Sequence, residues 1–187
     1  EPAGGLAPEG VYWFPDALPK LTLETRIWGT AIVELVAPVM TITDTETGES
    51  LNSSGGLARV EISDSGSSAE ALLVWPAVSL SGPDMDIRIS DIHMEQTMAH
   101  LLGGLWTGNG ELEIGSATVA LTDGNALTLR GFGLTSTSEA RDGGARLDSR
   151  AAIDVQEVAR ENQSYGTHRL VLSLDKLDVQ SWNDVPE

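Results

Sequence analysis

Cysteine is absent from this 187-residue chain. That excludes thiol nucleophiles, a disulfide framework and every metal site built on thiolate, while leaving the compartment open. Lysine is almost absent as well, with only Lys20 and Lys176, so arginine carries most of the positive charge. Eleven basic residues stand against twenty-eight acidic ones, a net charge of -17. Such a field repels phosphate backbones and argues against a nucleic-acid partner. It would attract a basic partner or cations, but solubility in salty surroundings is the simpler account. Phenylalanine and tyrosine occur only twice each. No apolar run reaches membrane-spanning length; the best, Thr30 to Met40, is broken by Glu34 and Pro38.

What is present suits a folded protein: 41% of residues are hydrophobic, ordinary for a globular chain. This length fits one domain, able to bury roughly 70% of the surface its unfolded form exposes. Residues 1–10, rich in Gly, Pro and Ala, read as a flexible leader, and residues 11–187 as a single β-rich domain. The chain opens on Glu1 without a signal peptide. A processed or excised form is expected, with any membrane anchor upstream of it.

From Lys20 onward apolar residues alternate with polar ones: Leu21, Leu23 and Ile27 against Thr22, Glu24 and Arg26, then Ala31, Val33 and Leu35. Period two is the signature of a strand with one buried face. Asp44 to Glu49 is turn-forming, Asn52 to Gly56 a loose loop, and Leu57 to Ile62 a further strand. Four later segments share a more specific pattern, apolar-x-apolar-x-x-apolar-x-apolar. They are Ile87/Ile89/Ile92/Met94, Leu112/Ile114/Ala117/Val119, Leu127/Leu129/Phe132/Leu134 and Leu172/Leu174/Leu177/Val179. One extra residue between two alternating pairs would turn the side chains to the other face unless a β-bulge absorbs it. Bulges are therefore expected at Ser90-Asp91, Gly115-Ser116, Arg130-Gly131 and Asp175-Lys176. Strands bent at a repeated place make a coiled sheet, so the expected fold is mainly β. It is a strongly coiled antiparallel sheet, half-barrel or open, with bulged strands, a concave apolar face and one short helix. The helix is expected over Met94, Met98, Leu101, Leu102 and Leu105, ended by Gly103-Gly104. Val155 to Asn162 reads as a turn or one helical turn, and Ser181 to Glu187 as the start of another element.

No constellation of catalytic residues emerges. His93 and His100 would share a face of a helix, but no H-E-x-x-H or other ligand pair accompanies them, and His168 stands apart. Asp44, Glu46 and Glu49 around Gly48 have the look of a calcium loop with the wrong spacing, since the glycine is fifth and position twelve is Gly55. Asp84, Asp86 and Asp91 make no better a site, since the first two alternate with apolar residues and should face solvent. Acidic residues are too many for a glycosidase pair to stand out. There is no G-x-S-x-G elbow, and the glycine-rich stretch Gly103 to Gly110 fits no phosphate loop. Trp13, Trp28, Trp75, Trp106 and Trp182 are expected chiefly in packing, with stacking on a sugar or lining a lipid groove as the alternatives. No catalytic, cofactor-binding or metal residue is assigned.

From Leu105 to Trp182 the chain resembles the YdgA-like family of Gram-negative envelope proteins, a domain of unknown function. The resemblance lies in Leu105-Trp-Thr-Gly-Asn-Gly-Glu-Leu-Glu-Ile114 and Leu127-Thr-Leu-Arg-Gly-Phe-Gly-Leu134. It lies also in Tyr165-Gly166, Arg169-Leu170-Val-Leu-Ser-Leu174 and Leu177-Asp178. Its members are typically longer and carry an amino-terminal membrane anchor. The resemblance therefore implies a carboxy-terminal portion or shortened relative, placed in the periplasm and tethered to the inner membrane in the full-length protein. It implies no catalytic residue. The strand pattern also looks like that of the AsmA-type lipid-transport proteins, a likeness of pattern alone. The function expected is a non-enzymatic envelope domain without cofactor or nucleic-acid partner, holding a lipid or other apolar ligand in the concave face of its sheet. The alternatives are an assembly module pairing with another envelope protein, and a carbohydrate-binding domain.

Overall fold

A computed structural model of the chain describes residues 17–63, 66–161 and 163–184. The leader and the apolar segment Val11 to Phe14, with Trp13, lie outside the described residues, as do the last three residues of the chain. The alternating stretch after Lys20 is a hairpin of β1 (Lys20–Arg26) and β2 (Thr30–Ala37). Then come β3 (Met40–Thr43), β4 (Ser50–Ser53) and β5 (Gly56–Ser63). Five long strands follow: β6 (Ser68–Ser81), β7 (Met85–Leu102), β8 (Leu105–Leu121), β9 (Ala126–Arg141) and β10 (Arg146–Arg160). The described chain ends with β11 (Gln163–Ser164), β12 (His168–Asp178) and a short helix α1 (Val179–Asn183). Some 75% of the described residues are strand, in one antiparallel sheet that is not closed into a barrel.

Three of the boundaries between the twelve labelled strands are breaks within one path, and each path pairs with the next, which gives a plain meander crossed by a seam. β2 and β3 are one path broken at Pro38-Val39, β4 and β5 another broken at Ser54-Gly55, and β11 and β12 a third broken at 165–167. The five long strands cross the same line without ending. Pairing steps from Trp75↔Ile92 to Ala77↔Ser90, and from Ile92↔Ile114 to Ser90↔Ser116. It steps likewise from Ile114↔Phe132 to Ser116↔Arg130, and from Val155↔Phe132 to Glu157↔Arg130. Pro76, Asp91, Gly115, Gly131 and Gln156 are thus left opposite one another, one extra residue per strand. Asp91 and Gly131 take left-handed backbone (φ 56 and 58). Proline is admissible here because a residue outside the ladder has no N–H to contribute. A Cβ on Gly115 would meet the Asp91 side chain, and one on Gly131 would meet Gln156, so both glycines accept a neighbour folded over them.

Three of the four expected bulges therefore lie on one seam. The fourth is separate: Lys176 has φ 59 and bulges β12 opposite Asp148, near the other end of β10. The expected helix over Met94 to Leu105 is not formed. Met94 and Met98 are four apart, which keeps them on one side of a strand as well as of a helix. Pairing of β7 with β6 on one side and β8 on the other decides the matter. Among the described residues the one α-helix is α1, which takes in Ser181 to Asn183, the first residues of the segment expected to begin another element. Val155 to Arg160 is the end of β10 rather than a turn, which comes at Glu161 (φ 54); Asn162 lies outside the described residues. Asn52 and Ser53 belong to β4, which shortens the expected loop to Ser54-Gly55.

Candidate functional site

Alternation along each strand, combined with the register between strands, sorts the side chains into two faces. On one face Leu21, Leu35, Ala58, Leu73, Met94, Leu112, Leu134, Ile153 and Leu170 stand side by side in a single row, one from each of nine strands. The next row on that face runs Leu23, Val33, Val60, Ala71, Gln96, Gly110, Ser136, Ala151 and Leu172. The third runs from Thr25, Ala31 and Ile62 through Met98 and Gly108 to Leu174. None of the three rows contains a charge. The opposite face carries Glu34, Arg59, Glu61, Glu70, Glu95, Glu111, Glu113 and Asp154. Shallow depressions lie on that charged side, one over Gly115 and Gly131 beside Asp91, Glu113 and Asp154.

No second layer covers the uncharged face among the described residues. Ile32, Leu147, Ala152 and Val179 are the only buried apolar side chains there, and Ile32 and Ala152 belong to the charged face. The rows are half-buried by their neighbours in mid-sheet and open at both margins, where Leu21, Leu23, Leu170, Leu172 and Leu174 are exposed. A domain ordinarily buries such a face against another layer. A large contiguous apolar patch left open marks a place where something binds.

The residues examined for chemistry disperse. His93 and His100 are seven apart on one strand, so they point to opposite faces, against the shared face a helix would have provided. His93 pairs with Glu95 at 3.1 Å, and His100 hydrogen-bonds the Gly103 carbonyl and meets the Trp106 ring edge-on. His168 stands at the far margin, opposite Val155. Asp44 accepts from the backbone N–H of Glu46 (2.8 Å) and Thr47, closing its own turn. Those two bonds hold its carboxyl below the ordinary range, the Glu46 bond more than the Thr47 one. No group of three or more metal-ligating side chains forms among the described residues.

The tryptophans divide in the same way. Trp75 lies over Gly56 and donates from Nε1 to the buried Ser53 Oγ at 2.9 Å, a packing role. Trp28 is 83% exposed beside Ile27 in the β1–β2 turn, and Trp182 is exposed on α1. Trp28 and Trp106 lie at one end of the sheet, but about four strand spacings separate them, roughly 20 Å along the sheet. They do not make one platform for a sugar ring.

A clamp at the β12 bulge sets a pH dependence. The Lys176 N–H donates to Asp148 Oδ1 at 2.8 Å, Arg141 Nε donates to Oδ2 at 3.1 Å, and Arg146 donates to the Lys176 carbonyl. The Lys176 amide first, and the Arg141 guanidinium second, hold the Asp148 carboxyl below its ordinary range. A folded pKa below the unfolded value of about 3.9 adds stability that is complete above that value and lost as pH falls through the folded pKa. Asp148→Asn is expected to flatten the fall of the thermal midpoint as pH drops below about 4, read by calorimetry, and to lower the midpoint at neutral pH.

No curated protein and no solved structure matches the chain. A family model does, and it extends over residues 14–186, taking in the whole meander and α1. The chain belongs to that family, described as bacterial protein of unknown function (DUF945).

Proposed function

We propose that this domain is a non-enzymatic envelope module that holds a lipid against the uncharged face of its sheet. The observation that carries the reading is the set of three charge-free rows crossing nine strands with no covering layer among the described residues. A polypeptide laid along the row from Leu21 to Leu170 would find no hydrogen-bond partners for its amides among the Leu, Ala, Met and Ile side chains there, and burying them unpaired is costly. An acyl chain has no such groups to satisfy. The net charge of -17 disfavours an anionic headgroup, so a neutral or zwitterionic lipid suits the domain best. The placement proposed is periplasmic, in the carboxy-terminal portion of a longer, inner-membrane-tethered protein of the YdgA-like kind. That part rests on the resemblance of Leu105 to Trp182 alone.

The test is native mass spectrometry of gently purified protein, followed by titration with pyrene-labelled phosphatidylcholine. Lipid adducts are expected, with saturable uptake of the probe. Met94→Glu, which places a carboxylate in mid-row, is expected to weaken uptake about tenfold or more. Protein that carries no lipid and takes up no probe would sink the proposal.

A further inference from the structure

The outer side of β12 pairs with nothing among the described residues: β10 occupies its inner side, and α1 turns back toward the β7–β8 turn, where Asn183 accepts from the Gly104 N–H. Natural sheets guard such an edge with charge, proline or brevity. The other margin is guarded, since β1 has seven residues and carries Lys20, Glu24 and Arg26. A two-fold pairing of β1 about Leu23 would set Lys20 against Arg26. β12 is different: from Arg169 to Asp175 it reads Arg-Leu-Val-Leu-Ser-Leu-Asp, exposed throughout and free of proline.

We infer that β12 pairs antiparallel with β12 of a second copy of this chain, about a two-fold axis at Leu172. Three constraints select that register. Residues directly opposite in an antiparallel pair point to the same side, so only a register centred on a residue lets the uncharged face of one copy continue into that of the other. Of those registers, the one about Leu172 sets Leu170 against Leu174 on both sides of the axis, so that leucine meets leucine at all three positions. On the charged face it alone sets Arg169 against Asp175, twice by symmetry. Centring on Val171 places Arg169 against Ser173, and centring on Ser173 places Asp175 against Val171. The ladder ends where the bulge at Lys176 turns the strand away.

The charges at its ends are available. Arg169 is exposed and reaches Asp154 of its own chain at 3.3 Å, while Asp175 makes no ion pair among the described residues. Opposite charges facing across a strand pair favour it and like charges oppose it. The contact is isologous, so it closes at two copies rather than growing. It doubles the uncharged rows without covering them, and stands whether or not that face holds lipid.

The experiment is sedimentation velocity on the whole chain and on two charge reversals, Asp175→Arg and Arg169→Glu. The unaltered protein is expected to be a dimer at micromolar concentration. Each reversal sets like charges together at both ends of the ladder and is expected to weaken the dimer about tenfold or more. Mixing the two variants restores opposite charges at both ends, so a heterodimer as tight as the original is expected, and no loss of folding could imitate that recovery. A monomeric unaltered protein overturns the inference. So do open-ended oligomers, which would mean that β1 joins β12, and so does an Asp175→Arg variant that dimerises as well as the original or a mixture that stays monomeric.

Discussion

Replacing Gly108 by alanine is expected to cost about 3 kcal/mol or more of unfolding free energy, read as a lower urea midpoint. Gly108 stands at φ 146, a backbone conformation that L residues rarely adopt, and it pairs with Met98 in the longest ladder of the sheet. An added Cβ would fall inside the van der Waals envelope of the Thr97 carbonyl oxygen, an atom of the β7 backbone with no rotamer by which to move aside. Relief requires β7 and β8 to separate locally, which breaks ladder bonds in mid-sheet. Gly133→Ala is the matched control, because nothing lies within 4 Å of its added Cβ and its φ is not positive. That variant is expected to be neutral or stabilising by a few tenths of a kcal/mol, since alanine loses less backbone entropy on folding. Equal losses for the two variants would refute the steric account.

Val179→Asp is expected to be the most damaging change outside the sheet, again about 3 kcal/mol or more, because it buries a carboxylate without a partner. Val179 is 1% exposed, the one side chain among the described residues so completely enclosed. Its N–H donates to the Ala145 carbonyl at 3.2 Å, and Asp178 caps α1 by accepting from the Ser181 N–H at 2.9 Å. Four residues on, Asn183 accepts from the Gly104 N–H and donates to the Val179 and Leu102 carbonyls. Val179 therefore anchors a strap from the end of β12 to the β7–β8 turn. Its release should expose the Gly104 amide, so hydrogen exchange at Gly104 is expected to accelerate in Val179→Asp and stay unchanged in Trp182→Ala, where the side chain is already exposed. Unchanged protection of Gly104 in Val179→Asp would show that the strap does not hold the turn.

Much of the sheet is legible in the chain because period two is a local property. Leu21 to Leu35 announce a hairpin without reference to any other residue. The doubled spacer in Ile87 to Met94, Leu112 to Val119 and Leu127 to Leu134 announces a bulge for the same reason. Pro76 carried a further signal: a proline inside a long apolar strand belongs at a break in the ladder, and it marks the seam on β6. The segment Met94 to Leu105 was not legible, because methionines four apart satisfy both periods and only the strands on either side choose between them. The candidate binding face was legible strand by strand. Its extent was not, since it depends on which rows align across nine strands.

Sequence alone determined that this protein is an acidic β-rich chain without thiol chemistry, whose strands carry one apolar side and absorb an extra residue at a repeated place. Those are matters of composition and of nearest neighbours along the chain. Tertiary structure decided that the breaks in neighbouring strands fall on one transverse seam, and that the apolar sides line up in charge-free rows with no second layer over them among the described residues. It also decided that Asp175 is left at an edge that pairs with nothing among the described residues. Register is a relation between residues far apart in sequence, chosen by the whole ladder at once, and no local pattern contains it.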